Sequence, residues 1–364
     1  MASQANDWLR RWLVHPLALR LSSESDKDQP AFSIAASLKG PKNILIIPDG
    51  RAGGLFLGAS QFWAIRQRYP EAEITLLVQT QKQYIAREIP FVNNVLVYED
   101  FLLPLSGKTR DVVRRLTETA FDIAFLFSTE ESLCPAYYCY KSGAHIRIGF
   151  QRDDFPSVNV RIVPRPEPCY EPERLALLLR TLGIPQVRER VSWSVSRETS
   201  KRIRDRFLVA RRPDERFIGL DVSSCTGSRP TPKQLLAIAQ QASELPDART
   251  LVFFDYPERK TANRIKEALG PRSLVFQADD LPKLVALLEV CDRLIACNTD
   301  LFHLAMSMGR PVTGILSAPD VLRWLPPERV GVDILEYEVL KHWSPQQVGE
   351  AVRQRLLPAE PKSA

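Results

Sequence analysis

Short apolar runs separated by segments of helical spacing recur along this chain in two series. The first holds NILIIP (43–48), EITLLV (73–78), NVLVYE (94–99), FDIAFLF (121–127) and HIRIGF (145–150). The second holds FIGLDV (217–222), TLVFFD (250–255), SLVFQ (273–277), RLIAC (293–297) and VTGIL (312–316). Strands this short and this apolar are buried on both faces, which a parallel sheet covered by helices allows. Phe56 to Tyr69 and Arg110 to Thr119 supply two such helices. The expected fold is therefore α/β, two doubly wound domains in tandem with their strand-end loops facing a cleft. A chain of 364 residues at 45% hydrophobic has the material for two cores. The proline-bearing stretch RFLVARRPDER (206–216) separates the series, giving an extension at 1–41, domains at 42–205 and 206–340, and a C-terminal helix and tail at 341–364.

The extension has its own pattern. NDWLRRWLVHPLALRL places Trp8, Leu9, Trp12 and Leu13 on one helical face beside Arg10 and Arg11, until Pro16 breaks the run. Such a face either packs on its own domain or lies on an anionic membrane surface; SSESDKDQP then reads as a polar linker. The balance of 49 Lys+Arg against 43 Asp+Glu, a net +6, suits an anionic ligand, a nucleotide or an acidic lipid surface. No interleaved aromatic and basic stripe supports nucleic acid. No apolar run reaches the ~18 residues of a membrane span. Six cysteines without a C-x-x-C pair or a dense framework imply reduced thiols and a cytoplasmic setting, with peripheral contact on the membrane's inner face as a further option. Four histidines (15, 145, 303, 342), none at metal-ligand spacing, give no metal site, and no cofactor is expected. Phe62, Trp63, Met306 and Met308 read as core.

The loops that end strands carry the candidate chemistry. IIPDGRAGGLF (46–56) turns through Gly50, Arg51, Gly53 and Gly54 into a helix, but its spacing is not G-x-G-x-x-G. CNTDLFHLAMSMGRP (297–311) puts Asn298, Thr299 and Asp300 at a helix start, where backbone N–H groups and the helix dipole favour an anion. Asn298 or Thr299 could equally serve only as its cap. Ser223 and Ser224 with Arg229, in SSCTGSRP, form a candidate diphosphate collar. Glu258 in YPERK suits ribose hydroxyls, or simply the dipole of the helix it opens.

From about residue 42 to 355 the sequence resembles glycosyltransferase family 9, the heptosyltransferases of lipopolysaccharide core assembly. Four stretches carry the resemblance: ILIIPDGRAGGLFLGASQFWAIRQRYPEAEITLLV, GAHIRIGF, EPERLALLLRTLGIP and NTDLFHLAMSMGRPVTGILSAPDVLRW. The last, against the family's DTGxxHLAAALGxPVVALFGPTDPxRW, is the most specific. The resemblance implies the GT-B architecture, two Rossmann-like domains with the acceptor on the first and the donor on the second. It implies an inverting, metal-independent transfer of a sugar, heptose by analogy, from a nucleoside-diphosphate donor to a glycolipid or polysaccharide acceptor. Matched by position, the family's phosphate turn falls on Asn298, Thr299 and Asp300 with His303 one turn later, its paired hydroxyls on Ser223 and Ser224, and its ribose glutamate on Glu258. Its basic phosphate ligand falls at Ser228, next to Arg229.

Three departures qualify this. The family's general-base aspartate position is Gly54, an aspartate of the phosphate turn is Asn298, and a glycine of that turn is Asp300. Positioned proton transfer is worth roughly a hundred- to ten-thousandfold in rate. Asp49 is the nearest replacement base, with Asp153, Asp154, Glu130 and Glu131 as alternatives. Asp49 also has a turn-forming reading, as Asp before Gly. Loss of the base makes a non-catalytic sugar-nucleotide or glycan binder the alternative function, and an epimerase or hydrolase on the same plan a third.

Overall fold

The computed structural model describes residues 38–51, 53–100, 106–128, 133–151, 157–163, 169–185, 193, 195–207, 214–225, 229–328 and 331–356. The N-terminal helix pattern and linker, Glu130, Glu131, Asp153, Asp154 and Ser228 lie outside the described residues.

The chain separates into two compact units, each built on a six-stranded sheet. In the first, β1 (Asn43–Ile47), β2 (Glu73–Gln79), β3 (Asn94–Tyr98), β4 (Ile123–Leu126), β5 (Ile146–Phe150) and β6 (Val160–Ile162) are ordered β3-β2-β1-β4-β5-β6. In the second, β7 (Arg216–Asp221), β8 (Ala248–Phe254), β9 (Ser273–Gln277), β10 (Arg293–Ala296), β11 (Val312–Leu316) and β12 (Val332–Glu336) are ordered β9-β8-β7-β10-β11-β12. Every neighbouring pair is parallel. Both sheets thus have the doubly wound order in which the chain reverses direction across the sheet beside its first strand.

Ten strands match the sequence reading, and two were missed. β6 is three partly exposed residues, and β12 mixes apolar and acidic side chains as VDILE; each forms an edge of its sheet. Edge position alone does not hide a strand, since β3 and β9 are edges too and were read from their apolar runs; β6 is too short and β12 too mixed in polarity to carry that signal.

Side chains at the helix ends fix where strands hand over to helices. The helix Gly54–Arg68 closes on Arg66, whose guanidinium donates to the carbonyls of Phe91, Pro70 and Ala72 at 3.1, 2.8 and 2.7 Å. In the second unit Thr231, Asp280, Thr299 and Ser317 each accept a backbone N–H of the helix they precede. The helix Arg197–Phe207 packs on Leu281–Val290 in the second unit, with Arg204 paired to Glu289 at 3.2 Å. Phe62 is fully buried against Phe127, and Met306 is buried; Trp63 and Met308 are half-buried.

Candidate functional site

Because β7, β8, β10 and β11 are parallel, their carboxyl ends share one edge of the second unit's sheet, and the loops leaving that edge hold all the donor-side candidates. Asp221 ends β7 and is buried. It accepts the Ser223 amide at 3.0 Å and the Thr299 hydroxyl at 2.5 Å. Burial pushes its carboxyl above the usual carboxylate range; hydrogen bonds from Ser223 and Thr299 oppose that shift, and nearby Asp255 adds to it. Thr299 therefore joins β7 to the start of the helix Asp300–Ser307. Its hydroxyl donates to Asp221 and accepts the Phe302 amide at 3.3 Å, so the cap and the turn are one hydroxyl.

A second network braces Asn298. Its amide nitrogen donates to Asp320 at 2.9 Å, which leaves its oxygen to accept from His303 Nε2 at 2.8 Å. That sets the His303 proton on Nε2. His303 is wholly buried, edge-on to Phe302 and Trp324, and its ring meets the turn at Asn298. Ser317 donates to the other Asp320 oxygen at 2.7 Å.

The cation of the site is Arg229. It donates to Glu258 at 2.5 Å and to the Val222 carbonyl at 2.8 Å, tying the loop after β7 to the one after β8. Its Nε is buried and, among the described residues, has no hydrogen-bond partner. Glu258 also accepts the Thr261 hydroxyl at 2.8 Å, and the Arg229 hydrogen bond is the main cause that holds its carboxyl below the ordinary glutamate range. Ser224 is exposed, with its amide on Asp255 at 3.1 Å, and Asp300 is half-buried in the first helical turn.

The turn after β1 is built differently. Gly53 takes φ 78°, a left-handed conformation that glycine adopts without strain. Gly54 donates its amide to the Arg51 carbonyl at 3.0 Å, and a Cβ there would stand 2.0 Å from the Asp49 carbonyl oxygen. Asp49 is buried, and its carboxylate is gripped by Arg51 through the backbone amide at 3.0 Å, Nε at 2.8 Å and Nη2. Both carboxylate oxygens are thus engaged by one guanidinium in a bidentate pair.

Sequence reasoning missed Asp221, Asp255 and Asp320. Asp320 carried a signal, the S-x-x-D spacing of a helix cap after β11. Asp221 carried none, since an acid closing an apolar run reads as a strand boundary. Among the described residues no cluster of His, Cys, Asp and Glu could hold a metal ion, and no helix is long and apolar enough to cross a membrane.

No protein-family model matches the sequence, and no curated protein does. Solved structures do match the fold. The glycosyl transferase family 9 protein from Veillonella parvula DSM 2008 aligns with a TM-score of 0.68 at 16% identity, over 86% of this chain and 98% of that one. The fold is GT-B. Escherichia coli ADP-heptose LPS heptosyltransferase II aligns at 0.67 and 20% identity, over 86% and 99%. The E. coli heptosyltransferase WaaC with ADP-2-deoxy-2-fluoro heptose aligns at 0.61 and 14%, over 86% and 98%. The family 9 resemblance read from sequence motifs is thus met again in the backbone.

Proposed function

We propose that this chain is a glycosyltransferase whose second unit binds a nucleoside-diphosphate sugar at the ends of β7, β8 and β10. The observation that carries the reading is Arg229: a guanidinium fixed between two strand-end loops, with a buried N–H still lacking an acceptor among the described residues. A diphosphate oxygen would satisfy that donor and take charge stabilisation from it as the bond to the sugar breaks. Glu258, held by Arg229 and Thr261, would accept the ribose hydroxyls. Thr299 has its hydroxyl committed to Asp221, so any help from its turn would come from backbone amides, with Asn298 and His303 holding the turn in shape. A heptose donor, an inverting displacement and a glycolipid or polysaccharide acceptor near the Gly50–Gly54 turn extend the same analogy; the neighbours' names, ADP-heptose LPS heptosyltransferase II among them, support it.

A second reading, a sugar-nucleotide binder without transfer activity, is favoured by one observation: Asp49 has both oxygens on Arg51, and Gly54 has no room for a side chain. Thermal shift against a panel of nucleoside-diphosphate sugars tests binding, since a ligand at 100 times its dissociation constant stabilises by about 2.7 kcal/mol. Arg229→Ala is expected to abolish that shift; a shift unchanged by the substitution removes Arg229 from the site. Mass analysis of an incubation with the bound sugar nucleotide and a lipopolysaccharide-core acceptor then separates transfer from binding alone.

A further inference from the structure

The loop after β7 and the end of β10 hold two of the six cysteines. None of the six is in a disulfide. Register places Cys297 near the start of that loop: Ile295 pairs with Leu220, so Cys297 continues β10 alongside Val222, three residues before Cys225. The Cys225 and Cys297 thiols share a hydrogen bond, and both pack on the same apolar cluster beneath the sheet. Cys297 is 3% exposed, whereas Cys225 is only partly buried.

We propose that Cys225 and Cys297 are a reversible dithiol–disulfide pair, oxidised by hydrogen peroxide, that locks the β7 loop to the start of the Asn298–Asp300 turn. The two thiols are chemically unequal. The Cys297 hydrogen bond, followed by the Arg229 guanidinium, draws the Cys225 thiol below its ordinary range; burial, Asp221 and Asp320 work against this. The hydrogen bond to Cys225 and burial push Cys297 well up. A partly buried, acidified thiol beside a fully buried partner is the arrangement of a peroxide-sensing cysteine and its resolving cysteine. The Cys225 thiolate attacks a peroxide oxygen, the O–O bond breaks, and hydroxide leaves and is protonated to water. Cys297 then attacks the sulfenic sulfur, the S–S bond forms, the S–O bond breaks, and the departing hydroxide takes the Cys297 proton as a second water. Two thiols and one peroxide give one disulfide and two waters.

The effect on ligand binding rests on the donor reading above, because Arg229 and Asn298 flank the two cysteines; the thiol chemistry does not. The test uses the full chain carrying Cys169→Ser, which removes the other partly exposed thiol. After hydrogen peroxide, the intact mass is expected to fall by the two thiol hydrogens, with a proteolytic peptide linking Cys225 to Cys297 and full reversal by dithiothreitol. With Cys297→Ser added, Cys225 is expected to stop at a sulfenic acid trapped by dimedone. Cysteines 225 and 297 recovered in unlinked peptides after oxidation, or Cys225 no faster to react than buried Cys291, overturns the proposal. If the reduced chain binds a nucleoside-diphosphate sugar, oxidation is expected to weaken it at least tenfold; equal affinity in both forms overturns the lock. A disulfide that forms in a chain binding no such sugar would instead sink the donor reading and leave the pair standing.

Discussion

Asp49 and Asp221 occupy equivalent places: each follows or ends the first strand of a doubly wound sheet, beside the point where strand order reverses. Each is 2% exposed. The first unit satisfies its aspartate with a cation two residues along, in a turn packed so closely that Gly54 admits no side chain. The second unit satisfies its aspartate with the nearby Ser223 amide and a hydroxyl from a distant helix start, and commits its guanidinium to Glu258 with Nε lacking an acceptor among the described residues. One carboxylate closes a local turn; the other links two loops. The lesson is that equal burial at equal topology does not mean equal chemistry, because the partner decides whether the charge is neutralised or shared.

Removing the cation should have the largest effect. Arg51→Leu leaves a buried carboxylate without its bidentate partner, and breaking such a pair costs about 3–5 kcal/mol. The urea midpoint of the first unit would fall accordingly, and Arg51→Lys, which keeps charge without the planar fork, would recover part of it. A loss no greater than that of an exposed pair would show that the two aspartates are held alike.

Gly54→Ala comes next. Its Cβ meets a backbone carbonyl, so the turn itself must move, at the upper end of overpacking costs, about 3 kcal/mol. The same reasoning forecasts that Gly54→Asp destabilises the first unit and does not create a general base. Wild-type stability in either variant would mean that the turn has slack and that Asp49 could leave Arg51.

On the second unit, Thr299→Ala removes a cap, worth about 1 kcal/mol, and one donor to a buried carboxyl, of similar size. Thr299→Ser keeps both hydrogen bonds and is expected to lose little. If Ala and Ser behave alike in chemical denaturation, the bridge from β7 to the helix start contributes nothing.

These contrasts bear on what could be read beforehand. Ten strands were legible because each carries a mostly apolar run, edge strands β3 and β9 included, whereas β6 is three residues with Arg161 at its centre and β12 is interrupted by Asp333 and ends on Glu336. Asn298 and Thr299 were legible because a helix start has a local chemistry. Asp49 before Gly50 suggested a turn, yet its pairing with Arg51 arises only once the turn has formed. The Thr299–Asp221, Asn298–Asp320 and Cys225–Cys297 pairs join residues from different strand ends, and only the register of a parallel sheet puts them together.

The smallest effect is the most diagnostic. Burial raises the Asp221 carboxyl, so between the unfolded value of about 3.9 and its folded value the folded chain holds a proton that the unfolded chain has released. Stability therefore falls as pH rises through that window and is level outside it. Glu258 acts in the opposite sense: its lowered carboxyl stabilises above the ordinary glutamate value and loses that contribution as pH falls through the folded one. Asp221→Asn leaves an oxygen for the Ser223 amide and no proton to release, while its new N–H group displaces the hydroxyl proton of Thr299 and costs about 1 kcal/mol. The variant should sit within about 1 kcal/mol of wild type at neutral pH and lack the downward slope with rising pH, while the acid-side loss from Glu258 remains. Melting curves collected across the acid range would show the two slopes apart. Parallel profiles for wild type and Asp221→Asn would mean that burial does not raise the Asp221 carboxyl.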